Sequence, residues 1–188
     1  MKTFSLLRSG VYYLIARCFY AKVYCRSRRV PLRTLIAYGF MQRVIGFNRH
    51  VPWPVHCSST VSRWEKISQA SLFPWPGYLP GQYIQAKNGI AIGSNVRLGP
   101  GVKIVSADHS LNDYNAHKDG APIVIGDNCW LAANVVILSE VTLGEHVAVA
   151  AGAVVNQSFG DNLLIGGIPA RQLRSLDAYG LDAEKALD

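Results

Sequence analysis

At 188 residues and 20.6 kDa, the chain is long enough for one domain with a proper core and short for two. Apolar residues make up 49% and charged residues only 16%, which excludes a disordered polyelectrolyte and a low-complexity or collagen-like chain. The formal charge of +7 is unevenly placed, because residues 1–64 hold eleven Lys or Arg and no Asp or Glu, the first acid being Glu65. Such a basic head suits polyanions. A phospholipid surface or lipid-linked phosphate comes before nucleic acid, since no zinc-finger spacing, basic-zipper heptad or RNP motif accompanies the charge.

Taken in chain order, residues 1–50 mix aromatic, aliphatic and basic side chains, and Pro31 predicts a break between two helical segments. The bases do not gather on one helical face, so two readings stand: helices packed on the body, or a segment lying on an anionic membrane. The apolar stretch Ser9–Ala16 is eight residues long and closed by Arg17, which fits a cleaved export signal poorly. No run approaches the roughly twenty apolar residues of a membrane-spanning helix. Cys18, Cys25, Cys57 and Cys129 show neither CxxC spacing nor a disulfide-dense pattern. They read as reduced thiols of a cytoplasmic protein, peripheral at most to the inner membrane face. Residues 72–81 (LFPWPGYLPG) hold three prolines and two glycines and exclude helix.

From Gln82 a repeat sets in. Written in sixes, it runs IGSNVR, LGPGVK, IVSADH, then IGDNCW, LAANVV, ILSEVT, LGEHVA, VAAGAV and VNQSFG. All nine leading positions, Ile92 to Val155, are aliphatic, and the fifth positions are mostly small and apolar. A period of six predicts a solenoid shaped as a triangular prism, one hexad per face and eighteen residues per coil, with Ile125, Leu143 and the residues near Asp161 stacked. Gly, Asn and Asp behind the leading aliphatic suit tight corners and positive φ. The repeat is interrupted once, between Ile104 and Ile125, by SADHSLNDYNAHKDGAP. A solenoid accepts an insertion only at a corner, and an ordered loop on a rigid scaffold is a natural place for function. His109 sits at its base, and neutral imidazole suits the removal of a proton from a hydroxyl near pH 7. His117, in the distal part of the loop, is the alternative base.

The hexads, followed by NLLIGGIPAR at residues 162–171, resemble the bacterial hexapeptide-repeat acyltransferases. That group includes maltose and galactoside O-acetyltransferases and the acetyltransferases of capsule and O-antigen assembly. The resemblance implies a mainly β protein: a basic, partly helical segment over 1–71, a left-handed parallel β-helix over 72–171 with a loop at 106–122, and a tail with a short helix over 172–188. It implies transfer of an acetyl group from acetyl-CoA to a sugar hydroxyl in surface polysaccharide assembly, by a homotrimer with sites between neighbouring subunits and no metal.

The resemblance also implies residue roles. His109 matches the family's general base; its chain neighbour Asp108, by position alone, either orients that ring or holds the loop. Ala133 and Ala151, eighteen residues apart, match positions along the pantetheine arm of CoA. Gln157 stands where the family often has Lys, and Arg171 and Arg174 match basic positions at the phosphates. Trp130 walls the acceptor cleft or packs at the loop base, and Gln85 matches an acceptor-binding amide. The chain departs from the family at Asn156–Gln157 for Thr-Lys, and at Ala132 and Glu140 for Gly, which touches the grip on the cofactor and not the fold. The same scaffold also hosts zinc enzymes, but the seven residues between His109 and His117 do not match their spacing. N-acetylation of an amino sugar, and a non-catalytic scaffold at the membrane, remain as rivals.

Overall fold

The computed structural model describes residues 18–20, 31–70, 75–110 and 112–180. The sequence readings on residues 1–17 and 21–30, Cys25 among them, lie outside the described residues.

Helix α1, Leu32–Gly39, starts directly after Pro31 and runs on into a π-helical turn, Phe40–Ile45, closed by the left-handed Gly46. Among the described residues no helix is long and apolar enough to cross a membrane.

A parallel β-helix then follows. Its first face stacks β1 (Thr60–Ser62), β3 (Tyr83–Gln85), β6 (Lys103–Val105), β11 (Val136–Ile137) and β14 (Val154–Val155). The second stacks β2 (Ile67–Gln69), β4 (Ile90–Ile92), β9 (Ile123–Ile125) and β12 (Thr142–Leu143). The third stacks β5 (Arg97–Leu98), β10 (Trp130–Leu131), β13 (Val147–Val149) and β15 (Leu163–Gly167). The pairing Ile125↔Leu143, Leu131↔Val149 and Ile137↔Val155 carries the eighteen-residue period residue for residue. With the family resemblance, these parallel faces make the coil a left-handed β-helix.

Both hexad columns fill the prism. The leading aliphatics Ile104, Leu131, Ile137 and Val155, and the fifth-position Val102, Cys129, Val135 and Val147, are fully buried. Positive φ falls on the fourth position of successive hexads: Asn95, Gly101, Asn128, Asn134, Glu140, His146 and Gly152. The second-position glycine serves a different need. A Cβ on Gly126 would lie 2.9 Å from the backbone nitrogen of Glu145 in the next coil, so close coil stacking requires its absence.

Three expectations need correction. The partner of Leu143 in the last coil is Phe159, not the residues near Asp161, because the corner at Asn156–Ser158 is shorter by two residues. The coil also opens at β1 and β2, before residue 72, where Arg63 in left-handed conformation and the 3₁₀ turn Trp64–Lys66 form a corner with no hexad signature. Finally, the described part of the tail is not helical: β16, Ala170–Ser175, folds back antiparallel on β15, and residues 176–180 are irregular. The open edge of β15 thereby gains hydrogen-bond partners that a helix could not supply. Residues 181–188 lie outside the described residues.

The N-terminal segment packs on the first coils, with Leu35, Val51, Trp53, Val55 and Trp75 joined to the prism interior in one core. The Trp53 indole donates to the Pro76 carbonyl at 2.8 Å and meets the Trp64 ring edge-on.

Candidate active site

The inserted segment leaves the prism at the corner between the first and second faces, directly after β6. Its base is tied to the coils on both sides. The Ser106 amide donates to the Gln85 carbonyl at 3.0 Å, the Ala107 amide donates to Gln85 Oε1 at 3.1 Å, and the Ser106 hydroxyl accepts the Asn88 amide at 3.0 Å. The Asp108 carboxylate accepts a hydrogen bond from the Ser139 hydroxyl of the next coil. At the returning end, the Lys118 amide donates to the Asp108 carbonyl at 2.9 Å, and its ammonium pairs with Glu140 at 3.2 Å.

Between these ties the segment is a hairpin: β7, His109–Ser110, pairs antiparallel with β8, Asp113–His117. His109 and His117 face one another in its backbone register. The His109 ring lies in a cleft of about 340 Å³ lined by Asp108, His109, Tyr114 and Lys118. Its Nδ1 is 2.6 Å from the Tyr114 carbonyl oxygen. A carbonyl only accepts, so Nδ1 donates, and in the neutral ring the basic lone pair belongs to Nε2. The Asp108 carboxylate is directed at Ser139 of the next coil. The orienting group is a main-chain carbonyl, which no residue type announces. Ser139, Lys118 and the carboxylate of Glu140 likewise went unread, since each acquires its part only when one coil stacks on the next.

The remaining positions sit elsewhere. Ala133 and Ala151 stack on the corner between the third and first faces, where the Gly152 amide donates to the Ala133 carbonyl at 2.9 Å. Pro100 extends this row of small residues, its carbonyl accepting the Asn134 amide at 2.9 Å. Trp130 projects from the third face between Arg97 and Ala148 and is exposed. Gln157 is exposed on the edge that carries the loop, at the last coil. Arg171 and Arg174 are exposed on β16, the Arg171 guanidinium donating to the Ala170 carbonyl at 2.9 Å. One prism thus brings Gln85 to the His109 loop and keeps Ala133, Ala151 and Trp130 away from that edge. Among the described residues no group of three His, Cys, Asp or Glu could hold a metal.

Residues 122–157 match the bacterial transferase hexapeptide family, described by six repeats. Over those residues the coil is similar to that family's repeats. Over 92 residues the chain is 41% identical to a provisionally named acetyltransferase of Schizosaccharomyces pombe, covering 47% of this chain and 44% of that protein. Over 92 residues it is 32% identical to the galactoside O-acetyltransferase of Escherichia coli, covering 47% of this chain and 45% of that enzyme. The chain therefore spans less than half the length of these two relatives. In fold, the hexapeptide domain and its flanks resemble a galactoside acetyltransferase solved in complex with coenzyme A, with a TM-score of 0.51, 18% identity, and coverage of 92% of this chain and 86% of that one.

Proposed function

We propose that this protein is an acetyl-CoA-dependent O-acetyltransferase that modifies a sugar hydroxyl in the assembly of a surface polysaccharide. The observation that carries the reading is the His109 ring, held at Nδ1 by the Tyr114 carbonyl and set in a cleft at the one long break of the repeat. Nε2 takes the proton of the acceptor hydroxyl as its oxygen attacks the thioester carbonyl of acetyl-CoA. The tetrahedral oxyanion collapses, the C–S bond breaks, and the leaving thiolate takes the proton back from the imidazolium. The products are a sugar acetate ester and free CoA, with no acyl-enzyme.

The pantetheine arm lies along the corner row of Ala133 and Ala151, whose short side chains leave the coil edge open. Gln157, Arg171 and Arg174 meet the nucleotide phosphates, with a neutral amide at Gln157 in place of a cation. Trp130 walls the acceptor side, and Gln85 reaches it through the loop base it supports. Because the loop and the alanine row lie on different edges, a site containing both is formed between copies, and we infer a homotrimer with three such clefts.

The test is mass-spectrometric detection of acetyl transfer from acetyl-CoA to a panel of hexoses and lipid-linked oligosaccharides. Acetyl esters formed by the parent protein and lost in His109→Ala support the reading. Transfer to amines alone, or an ester yield unchanged in His109→Ala, overturns it.

A further inference from the structure

The π-helical turn Phe40–Ile45 is built inside out. Its buried side chain is the polar Gln42, with no exposed surface, whereas Phe40, Val44, Ile45 and the following Phe47 are 48%, 60%, 54% and 49% exposed. Gln42 is fully satisfied where it is. Its Oε1 accepts the Tyr20 hydroxyl and, at 2.9 Å, the Val55 amide; its Nε2 donates to the Trp53 carbonyl at 3.1 Å and the Asn48 carbonyl at 3.2 Å. An amide side chain has two lone pairs and two protons to offer, and all four are engaged. This anchoring decides which side of the turn faces the protein. Gly39 reinforces it, because a Cβ there would lie 2.6 Å from the Phe19 ring. The apolar side chains are therefore directed outward by a satisfied polar core, not by loose packing.

The segment that bears this patch is cationic. Arg33 and Arg49 are exposed, and the Arg43 guanidinium lies 5.6 Å over the Tyr20 ring and donates to the Val51 carbonyl at 3.0 Å. The described residues hold two ion pairs, Arg63–Glu65 and Lys118–Glu140, and neither involves these three. No Asp or Glu precedes Glu65 in the chain. Protruding Phe, Val and Ile side chains with guanidinium groups beside them need a surface that is hydrocarbon within and anionic outside. A second copy would bring the same cations against these and offer no counter-charge from this segment.

We propose that Phe40, Val44, Ile45 and Phe47 insert at the headgroup boundary of an anionic phospholipid membrane, with Arg33 and Arg49 on lipid phosphates. This inference is independent of the acetyl-transfer reading, and its test needs no turnover. The full chain is sedimented with vesicles of phosphatidylcholine alone and with vesicles of phosphatidylcholine and phosphatidylglycerol in equal parts. The parent should prefer the anionic vesicles. Phe40→Gln/Val44→Gln/Phe47→Gln should lower partition by about tenfold or more, with an unchanged circular dichroism spectrum. Arg33→Gln/Arg49→Gln should lose the anionic preference, as the parent does in high salt. The single Val44→Gln, at the most exposed of the four, keeps the test open should the triple variant misfold, and should lower partition by about threefold. Parent-like binding by the folded triple variant, or by Val44→Gln where the triple variant misfolds, overturns the proposal. So does unchanged vesicle binding accompanied by an altered sedimentation coefficient, which would make the patch a protein interface.

Discussion

His109 and Glu140 show how a single side chain takes its meaning from the coil beside it. If His109 is the base, His109→Ala should cost about 10² to 10⁴ in turnover, the usual contribution of a positioned proton acceptor, while isothermal titration finds acetyl-CoA affinity retained. Because the ring is held by a main-chain carbonyl, Tyr114→Ala should leave turnover within a few-fold of the parent. Glu140 sits at a left-handed corner with φ of 63°, a conformation that costs a non-glycine residue about 1 kcal/mol. In return its carboxylate pairs with Lys118 beside the loop, an exposed interaction of about 0–1 kcal/mol. The two effects are of similar size, so Glu140→Gly should melt at the same temperature as the parent or a few degrees higher. Its turnover should nevertheless fall, because the returning end of the loop loses its side-chain tie to the next coil. A lower melting temperature in Glu140→Gly would show that the ion pair outweighs the strain.

At the level of the coil, each hexad position answers a different physical demand, and the demands can be tested separately. The third position points outward at a corner, so Ala133→Trp should fold as the parent does and abolish CoA binding in a calorimetric titration, if the alanine row is the groove for the arm. The fifth position points inward. At Cys129, burial pushes the thiol up to about 11 from its ordinary value of 9.0, with smaller contributions from the carboxylates of Asp127, Glu145 and Asp161. The thiol also donates to the Gly144 carbonyl at 3.1 Å. Below pH 9 both folded and unfolded chains hold the proton; between pH 9 and 11 the unfolded chain releases it first, so stability falls as pH rises. The loss attributable to this residue is roughly 2–3 kcal/mol and is complete above pH 11. Urea titrations from pH 8 to pH 11 should show that fall in the parent and a smaller one in Cys129→Val.

For the whole molecule the decisive feature is the separation of edges. The His109 loop leaves one corner and the Ala133–Ala151 row runs along another, roughly 15 Å apart across a face some five extended residues wide. If neighbouring subunits complete each site, His109→Ala and Ala133→Trp should each be inactive alone. Refolded together in equal amounts they should regain about one quarter of parental activity, the chance that a loop from one variant meets a row from the other. Recovery absent in mixed trimers of verified composition would place both halves of the site on one chain.

The repeat was legible from residue types alone because its determinants are local and periodic: an aliphatic every sixth residue needs only a prism interior, and the Gly, Asn and Asp behind it announce corners, although the coil itself put the positive φ on the fourth position, Glu140 and His146 included. The break holding His109 was legible for the same reason, as the one place where the period lapses. The first coil was not, since Trp64 and Arg63 form its corner without the hexad pattern, and neither was β16, whose strand conformation comes from the free edge of β15. Only the tertiary structure decided what holds the candidate base, because the Tyr114 carbonyl, the Asp108–Ser139 tie and the Lys118–Glu140 pair join residues that are neighbours through coil stacking and hairpin folding. It likewise decided the outward face of the Phe40–Ile45 turn, where a polar residue is buried and apolar ones are exposed, the reverse of what hydropathy by itself directs.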